Sequence, residues 1–205
     1  IRDHTTNQPI FGSDGKLYFT QGAMSAMGAA DPTWGNRAEH LLSAAVLKLD
    51  TAAVVARREN GRGPLNVNTQ GSAGYDPFAT GAPLQIHATG VRSVYDLLLH
   101  SNGNLYAPAN GSAAGGNVPA GGGAPGLSRV NTTQSDYLFN IVSGRYYGHP
   151  NPTRGEFVLN GGNPTSGVDP AEVSQYPVGT QPARNYGGVA FDFGRNVSPN
   201  GIIEY

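Results

Sequence analysis

Hydrophobic residues in this chain fall in short alternating runs, and several of the runs close on a turn dipeptide. Ile10-Phe11, Asp14-Gly15 and Leu17-Tyr18-Phe19 read as two strands around a tight hairpin, because Asp-Gly readily supplies the positive φ angles such a turn needs. The pattern returns downstream. Gly90-Val91-Arg92-Ser93 leads into the apolar run Val94 to Leu99, Asn102-Gly103 supplies a turn, and Leu105-Tyr106-Ala107 is the returning strand. A third copy is expected from Gly187 through Phe191 and Phe193 to Pro199-Asn200-Gly201 and the apolar end at Ile202 to Tyr205. Two further strands are predicted. Leu84 to Ala88 alternates, with His87 on the side opposite Leu84, Ile86 and Ala88, and Asp136 to Val142 is a strongly apolar run.

Between Arg37 and Asn60 the pattern supports two readings. Leu41, Leu42, Ala45, Val46 and Leu49 follow a helical i, i+3, i+4 rhythm, whereas the residues from Val46 onward alternate as a strand does. Ala23 to Trp34, Gly61 to Pro83 and the Gly/Ala-rich Gly111 to Gly126 have the composition of loops. Gly121, Gly123 and Gly126 match GxGxxG formally, but no strand leads in, no helix follows and Pro125 interrupts, so dinucleotide binding is not expected. Arg145 to Pro152 is an aromatic turn cluster whose rings are expected to pack the loop.

Composition agrees with a protein built from turns. Of 205 residues, 30 are Gly and 15 are Pro, far from the make-up of a helical bundle. An all-β fold follows, and a hairpin recurring around turn glycines at 15, 103 and 201 suits a β-propeller with long insertions better than a short-period solenoid. Three such hairpins imply three or four blades in a single partial domain spanning 1–205. The start at Ile1 and the apolar end at Tyr205 suggest a piece of a longer chain. Charged residues make up 13% with a net charge of −1, which leaves no basic footprint for nucleic acid. The absence of cysteine excludes disulfides, thiolate metal sites and a cysteine nucleophile. No apolar run is long enough to span a bilayer.

Chemistry-bearing residues stand ahead of the first two hairpins: His4 beside Asp3 before one, Arg92 with Ser93 before the other. In HTTNQPIFGSDGKLYFT and GVRSVYDLLLHSNGNLY these residues hold the same offsets from their turns as the His and Arg of the soluble quinoprotein glucose and sorbosone dehydrogenases, which the chain resembles over nearly all its length. That resemblance implies a six-bladed propeller using pyrroloquinoline quinone and Ca2+, in the periplasm or outside the cell. It implies that His4 is a general base removing a hydroxyl proton from a sugar or related alcohol, and that Arg92 and Ser93 contact the quinone. It also implies that the backbone carbonyls of Gly111 and Ser112 hold the calcium.

The family pattern is not followed throughout. Gln21-Gly22-Ala23 stands where the family carries the carboxylate that orients its His, with Asp3 as a candidate substitute, and His149 replaces a Trp. Ser93 and Ser112 replace an Asn and a Pro. Two other functions remain open beside the dehydrogenase: a catalytically inactive propeller serving as a binding or structural module with a protein partner, and a carbohydrate-binding propeller using Trp34, Tyr146 and Tyr147 as stacking platforms.

Overall fold

A computed structural model describes residues 4–71, 74–167 and 169–205. Two four-stranded antiparallel sheets form its frame, each a meander in which sequence neighbours are hydrogen-bonded neighbours. The first contains β1 (Ile10–Phe11), β2 (Leu17–Gln21), β3 (Ala45–Leu49) and β4 (Leu84–Thr89). The second contains β5 (Leu98–Leu99), β6 (Leu105–Ala109), β7 (Asp136–Ile141) and β8 (Phe191–Gly194). Both expected hairpin turns are present, with Gly15 at φ 71° and Gly103 at φ 88°, a region from which a Cβ is largely excluded.

Of the two readings of Arg37 to Asn60, the strand holds for the residues in question, and the helix of this stretch begins only after Leu49, beyond the rhythm of Leu41 to Leu49 that suggested one. Ala45–Leu49 is β3, held between β2 and β4, and Thr51–Glu59 is the helix α1. Asp50 makes the switch by capping α1, its carboxylate accepting from Ala53 N–H at 3.0 Å, while Arg57 and Arg58 lie at the negative end of the helix dipole. In β4 the expected alternation breaks. Val46 pairs with Ala88 and Leu47 with Ile86, so His87 is the extra residue of a bulge, and Ala88 turns to the face opposite Leu84 and Ile86. His87 itself packs edge-on to Tyr18 at 5.0 Å, and burial, with the nearby Lys48 charge, lowers its pKa.

The third hairpin does not form. Phe191–Gly194 pairs with β7 as the fourth strand of the second sheet, and residues 195–205 contain no strand. That tail is tied elsewhere, by Val197 and Ser198 N–H to the Asp136 carboxylate, Ile202 N–H to Asp96, and Ser101 to Glu204. The described residues thus hold two sheets rather than the three or four expected.

The sheets pack face to face over a core that includes Tyr18, Val46 and Ala88 from the first and Leu105, Phe139 and Ile141 from the second, with Tyr147 of the loop after β7 beside them. Polar ties lie at its edge, where the Val94 carbonyl accepts both Thr20 Oγ1 and Asn7 Nδ2 at 2.8 Å. A second core, including Met27, Val118, Val130, Leu159 and Tyr176, is made of loop residues only. It gives the long Gly-rich connections a packed floor at one end of the sheets.

Candidate functional site

The residue that joins the two hairpin-leading loops is Ala23. Its N–H donates to the Arg92 carbonyl at 2.8 Å, and its own carbonyl accepts from His4 Nδ1 at 3.2 Å. A single residue, through the two peptide groups that flank its Cα, therefore ties the imidazole to the Arg92 backbone. A carbonyl can only accept, so Nδ1 carries the proton and Nε2 is the basic nitrogen of the neutral ring. The position after the first hairpin, where the resemblance implies a carboxylate, thus offers His4 a main-chain acceptor. Asp3, the other candidate orienter, lies outside the described residues.

His4, Arg92, Ser93 and Gly111 line one open cavity of about 320 Å3, together with Trp34 and Asn110. Arg92 crosses its floor, with Nε donating to Ala26 O at 3.2 Å and Nη1 to Gly111 O at 2.9 Å, its guanidinium 5.8 Å from the Trp34 ring centroid. The far wall is the tail after β8. The Asp136 carboxylate accepts from Gly111, Val197 and Ser198 N–H groups at 2.7 to 2.8 Å, and Asn196 and Ser198 are held at φ 60° and 52°, a conformation uncommon for residues with a Cβ. Beneath lies a smaller cavity of about 30 Å3, room for a water, which Arg92, Asn110, Ser112 and His149 help to line. Asn110 lines both, and its Oδ1 is buried with no hydrogen-bond partner.

The calcium expected at Gly111 and Ser112 does not fit these surroundings. The Gly111 carbonyl already accepts a guanidinium N–H, the Ser112 carbonyl accepts Gln134 N–H at 2.8 Å, and Ser112 is buried. A dication on the first oxygen would stand beside the fixed positive charge of the Arg92 guanidinium. Among the described residues no group of three or more His, Cys, Asp or Glu is placed to hold a metal. The lining combines a guanidinium, the Asp136 carboxylate and the buried Asn110 Oδ1 acceptor, a set suited to a polar ligand that carries hydroxyl groups.

Sequence reading missed the strongest polar cluster nearby. Glu39, its side chain 0% exposed, accepts from Met24 and Ser25 N–H, from Ser25 and Ser43 hydroxyls, and from His149 Nε2 at 3.0 Å. Burial alone would raise its pKa, but the hydrogen bond and charge of His149 and the two serine hydroxyls outweigh it and hold the carboxyl at about 2. Glu39 stands in the sequence with no turn, repeat or motif to mark it out. The pairing with His149 spans 110 residues and leaves no local signal. Tyr146 and Tyr147 cannot be stacking platforms, because both are buried, the first with its hydroxyl on Val158 O at 2.6 Å. Of that trio only Trp34 reaches the cavity.

No protein-family model matches the chain, and no curated protein matches it. Among solved structures the chain is similar to one titled "Crystal structure of glucose dehydrogenase", with 16% identity and a TM-score of 0.37, over 85% of this chain and 38% of that one. The chain therefore spans well under half the length of that protein. No helix among the described residues is long and apolar enough to cross a membrane.

Proposed function

We propose that this chain carries the base-bearing part of a quinone-dependent dehydrogenase acting on a sugar or a related alcohol. The observation that supports the reading is the Ala23 bridge, which brings an imidazole of defined tautomer and a guanidinium to one open cavity. The two four-stranded meanders would be consecutive blades of a propeller, and a periplasmic or extracellular location belongs to the same proposal through the resemblance alone. Pyrroloquinoline quinone, when bound, supplies the hydride acceptor. The protein's share is to hold and aim. Arg92, fixed by two backbone carbonyls, offers permanent positive charge to an anionic ligand edge. His4 Nε2 takes the proton of the substrate hydroxyl, and Asn110 Oδ1 accepts from a neighbouring hydroxyl.

A second reading, a propeller that binds without chemistry, is favoured by one feature: a guanidinium occupies the carbonyl where the resemblance implies a calcium. The two separate in one assay on the full-length protein. Quinone uptake is followed by fluorescence, and turnover by dye reduction across a panel of sugars and alcohols. The dehydrogenase reading expects both, with His4→Ala retaining uptake and lowering kcat by roughly two orders of magnitude or more. Uptake without turnover supports the binding module. Absence of both uptake and turnover overturns the dehydrogenase reading.

A further inference from the structure

The outer face of the first sheet carries a second cavity that shares no lining residue with the first. Its floor is Phe19, Leu49 and Leu84 on β2, β3 and β4, its walls are Val54 of α1 and Leu65 and Val67 of the following loop, and its volume is about 770 Å3. That lies in the range of small-molecule sites, roughly 300–1,000 Å3. The loop wall is fixed in place. Arg57 Nε donates to Gly63 O at 3.0 Å, and the Tyr75 hydroxyl exchanges hydrogen bonds with both the N–H and C=O of Leu84 at 2.8 Å. Two further arginines, Arg58 and Arg62, also line this apolar hollow, and no acceptor among the described residues meets either side chain.

We propose that this hollow binds a small anionic amphiphile, a single apolar chain or ring system ending in a carboxylate or similar anion. Apolar floor and walls would take the hydrocarbon, which gains from being removed from water. The two guanidinium groups set the sign of the head, since each can form paired hydrogen bonds to a carboxylate. Neutral or cationic amphiphiles of the same length lose that pairing, and a cation meets repulsion as well.

Calorimetric titration of the full-length protein with decanoate, decan-1-ol and decyltrimethylammonium tests the assignment. Decanoate should bind saturably at one site, with the alcohol and the cation at least tenfold weaker. The double variant Arg58→Ala/Arg62→Ala should weaken decanoate at least tenfold with its circular dichroism unchanged, and Arg58→Lys/Arg62→Lys should recover part of the loss. Three outcomes overturn the proposal: no saturation below about 1 mM decanoate, equal affinity for all three chains, or association with anionic lipid vesicles while monomeric decanoate does not bind. Because the titration uses neither quinone nor turnover, its result stands apart from that of the dehydrogenase assay.

Discussion

A Cβ placed on Gly22 would lie 2.2 Å from the His4 Cβ, so the position next to the bridging Ala23 tolerates no side chain while the imidazole stays put. Gly22→Ala is expected to displace His4 and cost about 1–3 kcal/mol, as overpacking does. The check is a chemical denaturation curve together with the His4 ring resonances, whose shifts should change while those of His87 stay. Glu39 gives a pH test. Its folded pKa of about 2 lies below the ordinary 4.5, so its contribution is complete above pH 4.5 and is lost as pH falls toward 2. Glu39→Gln should flatten the stability curve in that window and lower stability at pH 7 by a few kcal/mol, because it removes the charge that five donor groups surround. Residue types at both sites were legible in sequence. Their partners were not, since Ala23 acts through its backbone, which every residue possesses.

At the scale of elements, the first two hairpins were readable from a turn dipeptide after a short apolar run, and β1, β2, β4, β6 and β7 lie where the pattern puts them, apart from the face of Ala88; β5 keeps only Leu98–Leu99 of the run from Val94, and β3 falls where the pattern left helix and strand open. Local information failed at the tail, because the choice between a new hairpin and a fourth strand depends on whether β7 offers a free edge. Loops were legible only as loops. The segment between His40 and Ala45 is shaped by Arg154, whose guanidinium donates to Leu41 O and Ser43 O at 2.7 Å and pairs with Glu156 at 2.9 Å, its side chain 3% exposed. Arg154→Ala is expected to cost about 3–5 kcal/mol, removing the guanidinium donors from the Leu41 and Ser43 carbonyls and leaving the Glu156 carboxylate without its partner. Arg154→Lys should recover only part of it, since an ammonium cannot reproduce the planar fork. Thermal melting of both variants reads this out.

For the whole molecule, the candidate site depends on how one sheet docks on the other. Phe139 stands in the shared core, 5.0 Å from the Tyr147 ring, and Phe139→Ala should destabilise by about 3–5 kcal/mol. Thr20→Val removes one of the two donors on Val94 O, a tie between the hairpins that carry His4 and Arg92. It should cost about 1 kcal/mol and weaken ligand uptake at the cavity more than ligand uptake at the outer hollow, measured by titration of each. The sequence by itself determined the strands, their turns and the loops bearing the imidazole and guanidinium, because alternation and positive-φ turn residues act over a few neighbouring positions. Only the tertiary structure decided that those loops meet, that Ala23 orients the ring, that a guanidinium sits where a cation was expected, and that Phe191–Gly194 completes a sheet instead of opening a third hairpin. Each of these depends on groups distant in sequence being brought within hydrogen-bonding range, and neither a backbone carbonyl nor the edge of a strand leaves a mark in the identity of the residue that supplies it.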